Sequence, residues 1–397
     1  MNINEAVLSQ PRIKSYFQVQ RYSFGCIGVN PTSLECTVFS RFRVWFPMMV
    51  QLCHYIPVLQ YAIENIHDMD KVTTSLAPLW QSIIATFKII YFVWNIKKIV
   101  SLVRKLWLWN LEAKGEERLI LGSENRKDII FCNFFNVAVN LTGFFCLLAP
   151  LLIAGFNALQ GEVFWEYLEE PVKGNYVIDK KSILGYICIY ICNGVSIFFV
   201  VYGTISTDTL FSWFMCNIVA QFRILKYRLR LAGGENNGNC SMKTIADCVV
   251  YHCRTIELAN EFNEAFCVVV FIKFAISCMQ ICCLAFQLSR GGELFDKLFH
   301  GFFLISVSMQ LMLYCYGGQR IQDESDSITN EIYESFHWET LSVANRKMLT
   351  FSMMRSQVPC NLSGLFFTAN LGLFLWVYRT AASLIALLKT LEEGEMQ

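Results

Sequence analysis

Seven long apolar runs limit this 397-residue chain to folds that bury helices in a lipid bilayer. A membrane-spanning helix needs about 20 predominantly apolar residues, and a run of that length is read as a candidate span. The runs cover residues 44–63, 76–96, 129–156, 183–204, 266–288, 298–318 and 362–388. Only 16% of the residues are charged, against about 25% in an average soluble domain. The sequence therefore predicts an all-α membrane protein with seven transmembrane helices.

Charge and residue clustering exclude several function classes. The formal net charge of +1 gives no electrostatic field that would attract nucleic acid. The five histidines are scattered, and most of the 17 cysteines lie inside the apolar runs, where they act as small hydrophobic residues. We expect no metal, no cofactor, no nucleic-acid partner and no enzymatic activity.

The distribution of Lys and Arg predicts how the chain threads the membrane. Residues 97–127, between the second and third runs, contain eight Lys or Arg, whereas residues 64–75 contain only Lys71. The N-terminal segment and the connections after the fourth and sixth runs are also rich in Lys and Arg. Because such loops stay in the cytoplasm, we expect a cytoplasmic N-terminus and an extracellular C-terminus.

This orientation divides the chain into four predicted regions. Residues 1–43 form a cytoplasmic segment, 44–318 the first six helices, 319–361 a second cytoplasmic region, and 362–397 the last helix with a short outer tail. A G-protein-coupled receptor has seven spans in the opposite orientation. Its usual Asp-Arg-Tyr after the third span and Asn-Pro-x-x-Tyr in the last span are absent from this sequence.

The last 60 residues resemble the insect odorant receptor family. The matching features are Trp338, Arg346, the MMRSQVP run that ends at Pro359, and the closing AASLIALL at 381–388. The related gustatory receptors usually end in a Thr-Tyr…Gln-Phe pattern, and this chain has other residues there. The obligate co-receptor of the family carries a long insertion between the fourth and fifth spans, whereas the corresponding loop here covers only about 221–263. The chain therefore resembles a ligand-tuning subunit.

The resemblance implies a function. Tuning subunits of this family join the odorant co-receptor in a heteromeric, non-selective cation channel, which a small volatile odorant gates in the plasma membrane of an olfactory neuron dendrite. The family uses the cytoplasmic ends of spans four to seven, including 319–361 here, to anchor the subunits together. Two alternatives remain: a metabotropic seven-span chemoreceptor coupled to a G protein, and a gustatory-type receptor channel.

The resemblance also implies an odorant pocket among the outer halves of the second, third, fourth and sixth spans. Odorants are mostly apolar, so their site needs apolar and aromatic walls with a few polar groups. The candidates share helical spacing on these spans, and packing between helices or against lipid is the alternative for each one. They are Trp80, Ile84, Phe87, Tyr91, Phe145, Leu148, Leu152, Tyr186, Tyr190, Asn193, Phe302, Ser306 and Met309.

The last span carries the candidate pore gate. Alignment of its end with the pore helix of the family places Leu387 and Leu391 at the constriction. A narrow ring of leucines blocks ions because they cannot shed their water against it. The alternative is that both leucines simply pack against neighbouring helices.

Three basic residues, Lys88, Lys273 and Arg379, fall inside the predicted spans. Lys88 has no evident partner in the sequence, and Lys273 could reach Glu261 or Glu264 only through a distorted helix. We therefore expect these side chains to snorkel towards the interface or to face a water-filled cavity. The predicted spans contain no Asp or Glu, so a transporter or a membrane enzyme ranks last.

Overall fold

The computed structural model describes residues 16–31, 38–161, 163–164, 168–178, 182–234, 241–290 and 294–395, without the side chains of 38–41, 43, 47, 388, 389 and 391–395. Within these ranges the structure contains eleven helices and one short β-hairpin. The helices are α1 (Gln18–Cys26), α2 (Val38–Glu64), α3 (Met69–Trp94), α4 (Ile96–Glu112), α5 (Glu116–Leu159), α6 (Ile183–Gly234), α7 (Met242–Ser289), α8 (Leu294–Asp326), α9 (Ile328–Ser335), α10 (Val343–Ser356) and α11 (Leu371–Glu395). The hairpin strands are β1 (Ser363–Gly364) and β2 (Phe367–Thr368), which pair antiparallel.

The predicted all-α membrane architecture is confirmed. Five helical segments in the described ranges are long and apolar enough to cross a membrane: α3, α5, α6, α7, and α8 together with α9. The first predicted run lies in α2, which exposes large apolar side chains such as Trp45, Phe46 and Ile56. The last run overlaps α11, whose apolar part is the shorter segment Leu371–Leu387. Exposed apolar residues on these helices suit a lipid environment.

The last span begins later than the sequence predicts. Residues 362–370 form the hairpin and a turn, and α11 begins only at Leu371. The Asn370 side chain accepts a hydrogen bond from the backbone N–H of Leu373 at 2.9 Å, which is the usual way to cap a helix N-terminus. The hairpin packs closely on α8, where a Cβ on Gly318 would overlap the carbonyl oxygen of Ala369. Hydropathy alone missed this boundary because the hairpin residues are also apolar.

Helix α6 is the centre of the bundle and is much longer than a membrane span. Its 52 residues extend about 78 Å, whereas the hydrocarbon core of a bilayer is about 30 Å thick. Nearly every residue from 203 to 222 is buried. The second half of α6 therefore serves as a core around which the other helices pack.

Ion pairs hold this projecting part of α6 to its neighbours. Arg223 contacts the buried Glu124 of α5 and also Glu324 of α8, with 2.6 Å between the Arg223 Nη2 and Glu324 Oε1 atoms. Arg230 donates two hydrogen bonds to Glu331 of α9, at 2.6 and 2.7 Å. The basic stretch of α6 is thus paired within the chain and ties three helices together.

Candidate ligand cavity and its polar surroundings

An internal cavity lies among α2, α3, α5, α6, α8 and the loop 168–178. It comprises about 600 Å³ of empty space, which includes the solvent-filled opening. Helices α3, α5, α6 and α8 are the four that the sequence analysis selected for an odorant pocket. The cavity is therefore placed where a ligand would contact several helices at once.

Most of the cavity wall is apolar. Val139 of α5 and Ile197, Val200 and Val201 of α6 form one side, and phenylalanines of α8 face them. Gly143 also lines the cavity, and a Cβ there would lie 2.7 Å from Cγ2 of Val201. The missing side chain lets α5 and α6 approach closely. Such a wall recognises a ligand mainly by its shape and apolar surface.

Polar side chains in the cavity are bonded across helices. The hydroxyl groups of Thr142 and Ser306 lie 2.8 Å apart and join α5 to α8. The Gln81 amide donates to the Thr204 hydroxyl at 3.0 Å and joins α3 to α6. Gln280 of α7 donates to Gln81 Oε1 at 3.2 Å. These bonds satisfy groups that would be costly to leave unpaired in an apolar interior.

A buried ion pair lies one helical turn further along α6 and α8 and two turns further along α3. Lys88 of α3 pairs with Asp208 of α6, and both side chains are almost completely inaccessible to solvent. The phenol of Tyr314 on α8 donates a hydrogen bond to the same carboxylate at 2.7 Å. A single carboxylate therefore binds groups from two other helices in the middle of the bundle.

Lys273 of α7 carries a second buried amino group. Lys273 is 0% exposed, and its Nζ donates to Oε1 of Gln310 on α8 at 2.6 Å. Gln310 lines the cavity. The polar layer thus reaches from the ion pair to the cavity wall.

The structure corrects the sequence-based account of these charges. Lys88 has an ionic partner and neither it nor Lys273 snorkels, since both are buried within the bundle. Glu261 and Glu264 instead bind Lys105 and Lys98, at 2.8 and 2.9 Å. The sequence did not indicate Asp208 as a partner because it lies four residues beyond the predicted end of the fourth span. Arg379 lies on an exposed face of α11.

The loop 168–178 closes one side of the cavity. Its Val172 lines the cavity, and the Tyr176 hydroxyl lies 2.9 Å from the Val172 carbonyl oxygen and 3.1 Å from Oδ1 of Asn193. The same hydroxyl is 3.4 Å from Nδ1 of His54 on α2. Burial raises the pKa of the Tyr176 phenol, so the group stays protonated and can donate. The loop is therefore attached to α2 and α6 through one side chain.

A larger, more polar cavity adjoins the first. It has about 1490 Å³ of empty space, open to solvent, and is lined by charged residues such as Asp70, Lys173 and Asp296. Four residues line both cavities: Pro78, Cys146, Val172 and Phe299. These side chains therefore stand between the polar vestibule and the apolar interior.

The predicted pocket residues lie on the same four helices but mostly on other faces. Ser306 lines the cavity. Phe145 and Phe302 stack with their ring centres 5.1 Å apart, and Asn193 is bonded to Tyr176. Met309 packs on the cluster around Val139. The remaining ones are buried or partly buried within their helices, apart from the exposed Leu152, and they are Trp80, Ile84, Phe87, Tyr91, Leu148, Tyr186 and Tyr190. Their part in odorant binding stays a prediction.

Sequence reasoning overlooked most polar residues of the cavity. On α6, Ser196 and Thr204 lie eight residues apart on one face, and on α8 Gln310 follows Ser306 by four. Polar residues at helical spacing inside an apolar run were the available signal.

The two predicted gate residues both lie in α11. Leu387 is 53% exposed in the single chain. The side chain of Leu391 lies outside the described residues. The gate at Leu387 and Leu391 stays a prediction.

Comparison with known proteins identifies the family. Residues 68–382 match the family model for the 7tm odorant receptor. Odorant receptor 45a of Drosophila melanogaster is 30% identical over 95% of this chain and 99% of its own length, and odorant receptor 9a of the same species is 25% identical over 94% and 95%. The chain therefore belongs to the seven-transmembrane odorant receptor family, whose members are receptors and not enzymes.

A solved structure shows the same fold. The olfactory receptor OR5 of Machilis hrabei, solved in complex with eugenol, superposes with a TM-score of 0.75 at 17% identity, and the match covers 96% of this chain and 97% of that one. The ligand-tuning type of receptor expected from the sequence is confirmed by the relatives. Helix α6 ends at Gly234 and α7 begins at Met242, so the connection is even shorter than the loop of 221–263 expected from the sequence.

The loop attachment can be tested by Tyr176→Phe. The change removes the hydroxyl group that hydrogen-bonds with Asn193 and Val172. We expect the free energy of unfolding to fall by about 1–3 kcal/mol, as for other buried polar groups that lose a partner. Thermal or denaturant unfolding of the purified protein in detergent measures this loss. Tyr333→Phe is the matched control, because Tyr333 is 66% exposed. Equal stabilities of the two variants would show that the Tyr176 bonds contribute nothing.

Proposed function

We propose that this chain is the odorant-binding subunit of a heteromeric, ligand-gated, non-selective cation channel that it forms with the odorant co-receptor. The observation that carries the proposal is the mostly apolar cavity that lies among the helices. Its apolar lining with a few polar groups suits a small volatile molecule. The related receptor solved with eugenol supports a ligand of this kind. The proposed location is the plasma membrane of an olfactory neuron dendrite.

The proposed threading puts the N-terminus in the cytoplasm and the C-terminus outside. The loop 168–178 and the polar vestibule then face the extracellular side, so odorant enters past Val172 and Phe299. The projecting half of α6 and residues 319–361 lie in the cytoplasm, where their arginines and glutamates form ion pairs within the chain. The Lys and Arg bias of the connections supports this direction.

The proposed pore lies along α11. This helix exposes Leu375, Trp376 and Leu387 in the single chain, and such side chains need lipid or a neighbouring subunit to cover them. We place the gate at Leu387 and Leu391, and the odorant site among the cavity residues and the thirteen pocket candidates. Odorant binding shifts α8, which lines the cavity and also packs on α11.

The channel proposal is tested by current recordings. Cells that express this chain, the co-receptor or both are screened against a panel of volatile compounds, with no nucleotide in the patch solution. We expect an odorant-evoked cation current only when both chains are present. A current that needs added nucleotide or a G protein would support the metabotropic alternative and overturn the proposal. A current from this chain alone would overturn the heteromeric assembly.

The threading is tested by epitope tags. A tag placed after Gln397 should be stained on intact cells, and a tag placed before Met1 only after permeabilisation, because the positively charged connections keep their side in the cytoplasm. Surface biotinylation confirms that both tagged forms reach the plasma membrane. The reverse staining pattern would contradict the proposed orientation and the extracellular opening of the cavity.

A further inference from the structure

The buried amine of Lys273 fixes the orientation of the Gln310 side chain. Its Nζ donates a hydrogen bond to the amide oxygen Oε1 of Gln310, which is 2.6 Å away. Both residues are almost fully buried, with Lys273 0% and Gln310 1% exposed. A flipped amide would lose this hydrogen bond.

The amide nitrogen of Gln310 can then donate a hydrogen bond to a ligand. Gln310 lines the cavity, and its Nε2 makes no hydrogen bond to any residue that the structure describes. Most neighbouring polar groups already form hydrogen bonds within the chain: Thr142 and Ser306 bind one another, and Gln81 binds Thr204. Free hydroxyl groups in the cavity can donate or accept, whereas the Gln310 NH2 can only donate.

The hydrogen bond from Lys273 strengthens this donor. An amide whose oxygen accepts a hydrogen bond is polarised, so its N–H groups become better donors in a low-dielectric interior. A carbonyl oxygen satisfies such a donor completely, because it accepts and brings no proton of its own. An alcohol in the same place brings an O–H group that also needs an acceptor, and a hydrocarbon leaves the Gln310 NH2 unpaired.

We propose that Gln310, held by Lys273, selects uncharged volatiles that carry a carbonyl oxygen, namely ketones, aldehydes and esters, over alcohols and hydrocarbons of equal size. The inference rests on the proposed function, since it assigns the ligand class of the same cavity. Shape complementarity with the apolar wall sets the preferred carbon skeleton. Gln310 sets the preferred functional group.

The test uses matched probes on cells that express this chain with the co-receptor. Methyl ketones of five to nine carbons are compared with the secondary alcohols and alkanes of the same skeleton, for example 2-heptanone, 2-heptanol and heptane. At the best chain length we expect the half-maximal concentration of the ketone to be about tenfold below that of the alcohol, the value of one good hydrogen bond. Equal potency of ketone and alcohol, or responses only to compounds without a carbonyl group, would overturn the inference.

The variant Gln310→Glu tests the donor itself. It keeps an oxygen for Lys273 and replaces the NH2 group by a second oxygen, which can only accept. The ketone should lose its advantage, and the alcohol should become at least equally potent. Gln160→Glu makes the same chemical change at an exposed position outside the cavity, and it should keep the original ratio. An unchanged ratio in Gln310→Glu would overturn the role of Gln310.

Failure of this inference is distinguishable from failure of the proposed function. If Gln310→Glu does not reach the cell surface, the ratio of ketone to alcohol potency in the unchanged chain decides the ligand class. An odorant-evoked current without carbonyl preference overturns only the inference. The absence of any current, with both chains present at the surface, overturns the channel function and the ligand class together.

Discussion

The buried contact between Lys88 and Asp208 is the interaction around which the membrane part of the molecule is arranged. Neither charge is accessible to solvent, and an unpaired ion in such a place is costly. Because Tyr314 donates to the same carboxylate, α3, α6 and α8 are fixed at one level. A rotation or a one-turn slip of any of these helices would leave a charge or a phenol without its partner.

The cavity follows from this arrangement. Within two turns of the ion pair, Gln81 and Thr204 join α3 to α6, and Lys273 with Gln310 joins α7 to α8. Polar contacts set the spacing of the helices, so the space between them does not have to be filled by apolar side chains. Small residues such as Gly143 let α5 and α6 approach, while the gap beside them stays open for a ligand.

Helices were predictable from the sequence because a membrane span needs a long apolar run. The rotation of each helix about its own axis was not predictable. Apolar residues cover most of each run, so the sequence does not show which side contacts lipid, protein or the cavity. The ion pair joins residues 120 positions apart, so no spacing pattern along the chain predicts it. The choice of α3, α5, α6 and α8 came from the family resemblance, whereas Pro78, Gln81, Thr142 and Thr204 came only from the structure.

A double-mutant cycle on the ion pair tests this account most directly. The free energy of unfolding in detergent is measured for Lys88→Met, Asp208→Asn and the double variant. Each single change leaves a buried group without its charged partner, and we expect a loss of about 3–5 kcal/mol for either one. The double variant removes both charges and should lose clearly less than the sum of the two. Strictly additive losses would contradict the claim that this contact fixes the helices around the cavity.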